Sequence, residues 1–298
     1  MNPVSEPPRL PERRHFRCLD PLRVRWAEVD LQQIVFNGHY LMYFDTAVAA
    51  YWRQMAMPYH EAMNLLSGDL YVRKATLEYE ASARYDEQLH IGIRLQRLGT
   101  SSMTFQACAF KGQGRLVYGE IVYVFADPKT QTSRPIPGVL RDWMLAFEEG
   151  QAMVSVQEGD WAALQAQARP IRQSVFEDEQ GVPRALEQDG LDEQAHHVLA
   201  RNRLGQALGT GRLLPLDARR GKIGRMAVMP MVRGAAVGQT LLSTLCDRAR
   251  TLGLQEVVLH AQAPVVNFYR RAGFELASEA FEEAGLQHHL MRRSLVSG

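Results

Sequence analysis

The chain has 298 residues, of which 46% are hydrophobic, and this is enough apolar material to fill two separate cores. Its 34 lysines and arginines nearly balance its 33 aspartates and glutamates, so we expect no electrostatic field that would gather nucleic acid or an anionic membrane. The cysteines, Cys18, Cys108 and Cys246, lie far apart without metal-ligand spacing, which favours small reduced core residues of a cytoplasmic protein over a disulfide framework.

The beginning of the chain combines four prolines with charged residues and contains no apolar run. A signal peptide needs such a run, so these residues are not expected to be one. We expect residues 1–17 to be a disordered tail. Elsewhere no stretch reaches the roughly 18 apolar residues of a membrane-spanning helix. The most apolar stretch, residues 40–52, contains Asp45 and is followed by Arg53. The sequence therefore predicts a soluble protein without a membrane partner.

The first half predicts one buried helix and five strands. Residues 38–57 place apolar side chains on nearly every face of a helix, which other elements must cover, and Pro58 ends it because proline has no N–H to donate. Strands separated by polar or glycine-containing turns are predicted at residues 22–28, 70–80, 88–98, 102–110 and 116–126. This pattern predicts an α+β domain over residues 18–148, with an antiparallel sheet wrapped around the helix.

A change of pattern indicates a linker at residues 149–152 and a second domain over residues 153–298. Helices and strands alternate there, as in an α/β domain. The clearest helix begins near Val237 and stops at Gly253. Further helices are predicted at residues 161–179, with a kink at Pro170, and 264–271, and strands at 197–201, 206–214, 222–228 and 256–260.

An aspartate lies in the loop that leads into the buried helix of the first half. Thioester hydrolysis needs a carboxylate that attacks the carbonyl or activates water, and fixed donors where negative charge develops on the carbonyl oxygen. The first N–H groups of a helix are such donors, because they have no partner inside the helix. Asp30 precedes the predicted helix closely enough to act beside them. An aspartate before a helix is also typical of a cap or a solvated charge, and spacing leaves these alternatives open.

Residues 24–40 resemble the hot-dog thioesterases of the 4-hydroxybenzoyl-CoA thioesterase type. The family signature joins a strand, an acidic pair, an Ile-Val-aromatic sequence and a helix, as found here. The resemblance covers residues 18–148 and extends to the segments 83–87, 98–105 and 136–140. It implies a hot-dog domain that hydrolyses an acyl-CoA.

The resemblance also implies roles for individual residues. Asp30 falls on the family's catalytic aspartate, and the N–H groups of Phe36, Asn37 and Gly38 would polarise the thioester carbonyl. Gln33 departs from the family, which usually has glycine there.

Two further side chains of this region have a functional and an ordinary interpretation. His39, near the helix start, is a helper base or a hydrogen-bonding group, and Asp45 matches an acidic helix position of the family that serves chemistry or subunit contacts. Hot-dog domains pair and build their sites between subunits, which implies a homo-oligomer. An open five-stranded sheet agrees with this, because its edges must be covered or joined.

A turn of small residues lies between a predicted strand and the helix near Val237. Residues 233–238 read Arg-Gly-Ala-Ala-Val-Gly. The pyrophosphate of coenzyme A binds where backbone N–H groups converge at a helix start and small residues allow close approach. Such turns also serve simple packing, so the segment by itself leaves both interpretations open.

Four segments in order resemble the GNAT superfamily of N-acetyltransferases: residues 171–183, 223–228, 267–274 and 285–292. This resemblance covers residues 153–298 and implies an α/β fold with a mixed sheet flanked by helices. It also implies transfer of an acetyl group from acetyl-CoA to an amine. The residues that it assigns to the cofactor are Met226, Val228, Arg233, Gly234, Ala235, Ala236, Val237, Gly238 and Asn267.

Three of the GNAT assignments have their own alternatives. Ala236 stands where the family usually has glycine, although alanine still offers its N–H. Tyr269 matches the general acid that returns a proton to the departing thiolate, and otherwise it is a packed helix residue. Asn267 would bond the pantetheine arm or cap a helix.

No general base is evident from the sequence among Glu179, His196 and His260. Adjacent histidines at 196–197 and 288–289 point to opposite faces of a strand and cannot meet one metal ion, so no metal is predicted.

The leading hypothesis is a bifunctional enzyme that hydrolyses an acyl-CoA and acetylates an amine. A second hypothesis keeps only the thioesterase catalytic and treats the GNAT half as a CoA-sensing or interaction module, because Ala236 replaces glycine and no base is evident. A third makes the first half an oligomerising scaffold, because Gln33 alters its loop.

Overall fold

The computed structural model describes residues 11–296. The chain forms two compact units, with the boundary between Ala152 and Met153. Each unit has a β-sheet of its own. Within the described range no helix has both the length and the apolar character needed to cross a membrane.

The first unit is built on a five-stranded antiparallel sheet in the order β1-β3-β4-β5-β2. The strands are β1 (Cys18–Arg23), β2 (Asp69–Tyr79), β3 (Gln88–Leu98), β4 (Ser102–Lys111) and β5 (Gly114–Ala126). Short turns join β3, β4 and β5, as antiparallel neighbours allow. Strands β1 and β2 form the two edges of the sheet.

Helix α1 (Asn37–Gln54) packs across β1, β3 and β4. Its buried side chains are Tyr40, Tyr43, Phe44, Ala47, Val48, Ala50, Tyr51 and Trp52. Helices α2 (Tyr59–Leu66) and α3 (Gly138–Glu148) complete the unit. The fold predicted for this half, a long apolar helix against an antiparallel sheet, is confirmed.

The segment before β1 differs from the disordered tail expected there. Phe16 is buried, and its ring packs edge-on against Phe110 with 5.5 Å between the centroids. The ring lies against Gly92, where an added Cβ would come within 2.6 Å of it. Residues 11–17 are therefore held on the first unit, with Phe16 as their buried aromatic side chain; residues 1–10, which carry three of the four prolines, lie outside the described range.

The second unit is built on a mixed sheet in the order β11-β13-β10-β9-β8-β7-β6, with β12 also paired to β13. The strands are β6 (Ser155–Gly159), β7 (His196–Arg201), β8 (Ala207–Pro215), β9 (Arg220–Val228), β10 (Glu256–Gln262), β11 (Glu275–Leu276), β12 (Phe281–Glu283) and β13 (Leu286–Ser294). The helices are α4 (Trp161–Arg172), which continues as a π-helical stretch over Gln173–Glu179, α5 (Arg184–Glu187), α6 (Val237–Thr251) and α7 (Val266–Arg271).

Helices cover both faces of this sheet. Helix α4 packs on Leu199 and Ala227. Helix α6 packs on the opposite face, over Gly209 and Gly211, where an added Cβ would lie 3.0 Å from leucine side chains of α6. The prediction of a mixed sheet flanked by helices is thus confirmed. Strand β6 was not predicted, because its sequence contains only one apolar residue, Val156.

Strands β9 and β10 are parallel and separate soon after they meet. They pair only over three residues of each strand, ending at Lys222 and Val258. Arg225, in the next part of β9, has φ of +52°, and the register with β8 shifts there. A bulge of this kind bends a strand. The rest of β9 therefore has no strand on its β10 side among the described residues, and the sheet opens.

A network of buried charges holds the segment after α4 against this sheet. The Arg172 guanidinium donates to Glu187 and, at 2.8 Å, to Asp192. Arg212 of β8 donates to the same Asp192 oxygen at 2.7 Å and to Asp189. Burial opposes ionisation of Asp192, yet the hydrogen bonds from the two arginines hold the pKa of its carboxyl below the usual value.

The three cysteines are buried core residues, as predicted. Burial raises the pKa of the Cys18 and Cys108 thiols to about 12. It also raises the pKa of Cys246. These thiols are therefore protonated at neutral pH.

Candidate functional site

The loop between β1 and α1 folds back on itself as a short hairpin. The Phe36 N–H donates to the Glu28 carbonyl oxygen at 3.0 Å, and the Asp30 N–H donates to the Ile34 carbonyl oxygen at 2.9 Å. Asp30 is thus held by the backbone in the hairpin that precedes α1.

The carboxylate of Asp30 is oriented through one of its oxygens. Oδ1 accepts the Gln32 N–H at 2.8 Å. The side chain is only partly exposed, and within residues 11–296 no group hydrogen-bonds to Oδ2. The arrangement presents one fixed and one available carboxylate oxygen.

The three N–H groups predicted at the helix start divide into two kinds. The Phe36 N–H is engaged by Glu28, so it belongs to the hairpin. Asn37 and Gly38 open the first turn of α1, and their N–H groups have no acceptor in the part of the chain that the structure describes. These two are the available donors.

Gln33 has a backbone conformation that favours glycine. Its φ is +61°, in the left-handed region. A residue with a Cβ loses roughly 1–2 kcal/mol there. The residue that departs from the hot-dog pattern therefore carries the strain of the turn.

Glu28 is the residue of this region that the sequence analysis missed. It is 5% exposed, and its Oε2 accepts the Arg25 N–H at 2.8 Å and the Tyr43 hydroxyl at 2.7 Å. Burial and then this carboxylate raise the pKa of Tyr43. Glu28 therefore ties the hairpin to α1. The acidic pair that it forms with Asp30 in the sequence was the available signal.

His39 lies in the first turn of α1, where its ring packs edge-on against Phe36 with 6.0 Å between the centroids. Asp45 is exposed rather than interior, and it accepts the Tyr123 hydroxyl at 2.6 Å.

In the second unit, helix α6 begins beside the opening between β9 and β10. Gly234 has φ of +91° and Ala236 has φ of +59°, so the turn enters the helix through two left-handed residues. The N–H groups of Ala236, Val237 and Gly238 have no acceptor among the described residues. They form a cradle of donors at the positive end of the helix dipole.

Ala235 and Arg233 support this turn. Ala235 is buried, and its N–H donates to Val232. The Arg233 guanidinium donates to both oxygens of Glu179 at 2.7 and 2.6 Å, and these bonds lower the pKa of Glu179. Arg233 and Glu179 are thus paired with each other at the turn.

The residues assigned to the acetyl end of the cofactor converge at the end of β9. An added Cβ on Gly238 would lie 3.5 Å from the Phe268 ring and 3.6 Å from Val228. The start of α6 therefore packs on both β9 and α7. Met226 lies in the β9 bulge, with its sulfur packed over Gly211.

Tyr269 is buried in α7 between Phe268 and Phe274, with ring centroids 4.9 and 5.9 Å away. Burial raises the pKa of Tyr269 to about 12. Asn267, two residues before Tyr269, is exposed, and its Oδ1 accepts only a long hydrogen bond of 3.4 Å from Arg270. Of these two, Tyr269 is positioned by packing and Asn267 remains accessible.

Two family models match the chain, "Thioesterase superfamily" over residues 32–118 and "Acetyltransferase (GNAT) domain" over residues 157–295. The second half belongs to the GNAT acetyltransferases, and the first half matches the thioesterase superfamily. Both predicted families are confirmed.

The curated relatives below are each similar to less than half of this chain. The uncharacterized protein YyaT of Bacillus subtilis is 32% identical over 132 residues, 43% of this chain and 88% of its own length. The uncharacterized N-acetyltransferase YjcF of the same organism is 32% identical over 124 residues, 41% of this chain and 87% of its own. The acyl-CoA thioester hydrolase YbgC of Escherichia coli is 26% identical over 121 residues, 39% of this chain and 87% of its own.

Replacing Ala236 by glycine is expected to stabilise the GNAT unit by about 1 kcal/mol, because it relieves a left-handed alanine. Ala235→Gly is the matched control. Ala235 has no positive φ and is buried, so its replacement should destabilise the unit. Urea unfolding of the full chain measures the change in the free energy of unfolding for both variants. Hydrogen exchange in α6 shows whether that change lies in the GNAT unit. Equal changes in the two variants would contradict the strain at Ala236.

Proposed function

We propose that this protein is a cytoplasmic enzyme with two sites for coenzyme A thioesters. The thioesterase half hydrolyses an acyl-CoA, and the GNAT half transfers the acetyl group of acetyl-CoA to an amine. One observation carries the proposal: each unit presents unpaired N–H groups at a helix start, at Asn37 and at Val237. The hairpin that holds Asp30 leads into the first helix, and the second helix starts against Val228 at the end of β9.

In the thioesterase half, the thioester carbonyl oxygen would accept the N–H groups of Asn37 and Gly38. Negative charge that develops on this oxygen is then stabilised by donors that need no reorganisation. The free oxygen of Asp30 would attack the carbonyl carbon or take a proton from the attacking water. The name of YbgC, an acyl-CoA thioester hydrolase, supports this substrate class.

Asp30→Asn should abolish acyl-CoA hydrolysis while acetyl transfer persists. The change removes the carboxylate charge but retains the size of the side chain and an oxygen for the Gln32 N–H. Free thiol released from a panel of aromatic and aliphatic acyl-CoA esters measures hydrolysis, and Asp45→Asn serves as the control on α1. Full hydrolysis by the Asp30 variant would exclude Asp30 from the chemistry.

In the GNAT half, the pyrophosphate of acetyl-CoA would bind the free N–H groups of Ala236, Val237 and Gly238, while Gly234 and the buried Ala235 shape the turn that presents them. The pantetheine arm would lie in the opening, where the backbone at Met226 and Val228 has no strand on its β10 side in the described chain. Asn267 would bond the arm at the start of α7. Arg233 contributes by holding the turn through Glu179.

Tyr269 would protonate the departing thiolate. Its pKa of about 12 keeps the phenol protonated over the whole range in which the enzyme would work. Tyr269→Phe removes only the hydroxyl, so acetyl transfer should fall about 10²- to 10⁴-fold while acetyl-CoA binding changes little.

Turnover with an amine panel and calorimetric binding of acetyl-CoA separate these effects for Tyr269→Phe. Unchanged turnover would reject the acid role, and lost binding would indicate a packing defect. A wild-type protein that binds acetyl-CoA but acetylates no amine would instead support the sensing module.

The thioesterase half also has a surface that fits a second copy of this chain. Leu31 is fully exposed at the tip of the hairpin, and Phe36 and Tyr79 are 52% and 53% exposed near the helix start. Strand β2 is an edge of the sheet with one side unpaired in the described structure. An apolar surface beside an open edge is typical of an interface, so we propose a homo-oligomer through this half.

Light scattering should show an oligomer for the full chain and for a fragment of residues 1–148, and a monomer for residues 151–298. The expected difference follows from the placement of the apolar surface on the first unit alone. A monomeric first fragment that still hydrolyses acyl-CoA would contradict both the interface and a site shared between subunits.

A further inference from the structure

Three titratable side chains meet where β9 and β10 part. Nδ1 of His260 lies 2.6 Å from Oε2 of Glu283 and 3.4 Å from Nζ of Lys222. Lys222 is the last residue of β9 that pairs with β10, through Val258. His260 follows Val258 by two residues on β10, so it lies on the same face of the sheet, at the edge of the opening.

We propose that His260 is the base that accepts the proton of the acceptor amine, and that Glu283 is the residue that positions it. This inference rests on the acetyl transfer proposed above and assigns the step that the sequence left without a residue.

The contact with Glu283 decides which ring nitrogen can act. A carboxylate only accepts hydrogen bonds, so Nδ1 of His260 carries the proton that it donates to Glu283. In the neutral ring the lone pair then lies on Nε2. No residue of the described chain hydrogen-bonds to Nε2, and the side chain is 28% exposed. Nε2 is therefore available to an amine that enters from solvent.

Neighbouring side chains hold the His260 ring in place and include an anion that balances its positive charge. Phe281 packs edge-on against the His260 ring at 5.0 Å and stacks on His288. Glu283 is an anion that stabilises the imidazolium once it forms; burial works against its ionisation, yet the hydrogen bond with His260 holds its pKa below the usual value. On the other side of the ring lies Lys222, whose pKa is lowered by burial.

The other two candidate bases are occupied or distant. Both carboxylate oxygens of Glu179 accept from Arg233. His196 is paired through Nε2 with Glu158 at 2.9 Å, on β7, and β8 separates that strand from β9. His260 is the one of the three with a free nitrogen beside the opening.

The protons balance in the resulting reaction. An ammonium group gives one proton to His260 Nε2, and its nitrogen then bonds to the thioester carbon. The carbon–sulfur bond breaks, and Tyr269 protonates the thiolate. The second proton lost by the nitrogen as it becomes an amide returns to Tyr269, and His260 releases the first to solvent.

The test compares His260→Ala with a matched variant, His196→Ala, in the full chain. Each substitution removes a histidine that is paired with a glutamate, but only His260 borders the opening. The acetylated product is quantified from acetyl-CoA with a panel of a polyamine, an amino sugar and a lysine-containing peptide. His260→Ala should lower kcat about 10²-fold or more without weakening acetyl-CoA binding. Added imidazole should restore part of the rate, and His196→Ala should behave as wild type.

A smaller loss of kcat is expected for Glu283→Gln, with KM for acetyl-CoA unchanged, because the base remains but its orientation is less fixed. Wild-type kcat in His260→Ala would overturn the assignment and leave acetyl transfer standing. A loss that imidazole does not restore, with acetyl-CoA still bound, would show a structural histidine and also overturn it. If wild type acetylates no member of the panel, the proposed transfer fails together with its base.

Discussion

Backbone N–H groups that a helix cannot satisfy are the constraint on which both halves of the molecule depend. Helices α1 and α6 each begin with donors that lack an acceptor in the described chain, and each is entered through a turn with a left-handed residue. That residue is Gln33 in one half and Ala236 in the other, where glycine would adopt the turn without strain. The donors come from the backbone, so the side-chain identity at the turn changes the stability of the site more than its chemistry.

Buried charges of the GNAT unit fix the position of residues 186–192, the segment that borders β9. Arginines of three elements, Arg172, Arg212 and Arg225, converge on carboxylates and carbonyls of residues 186–192. A buried ion pair adds little net stability, but loss of one partner costs roughly 3–5 kcal/mol because the other charge stays buried. The network therefore specifies where this segment lies rather than simply strengthening the fold.

The sequence predicts the features that arise from local pattern. The helix that becomes α1 is apolar around its circumference, Pro58 excludes its extension, and the resemblance in the loop singles out Asp30. Features that depend on partners distant in the chain were not predictable in this way. The Phe36 N–H is lost to the hairpin because Glu28 lies opposite, and His260 meets Glu283 only because β10 and β12 both pair with β13.

For the same reason, the sequence alone does not show which charged or isolated aromatic side chains are buried. Glu28 and Arg172 read as surface charges in the sequence, since ionised side chains are rarely buried without partners. Their partners, Tyr43 and the Glu187–Asp192 pair, come from other elements. Phe16 is the converse case, because one aromatic in a polar segment finds its place only where Gly92 has no side chain.

The burial of all three cysteines has a practical consequence for enzymology. Each of the two proposed reactions would release coenzyme A, whose free thiol reacts with chromogenic disulfide reagents. Only the thiolate form attacks such reagents, and Cys18, Cys108 and Cys246 are enclosed and protonated in the folded chain. Colour that develops during turnover therefore reports the liberated cofactor, and a rise in signal without substrate reports unfolding of the protein instead.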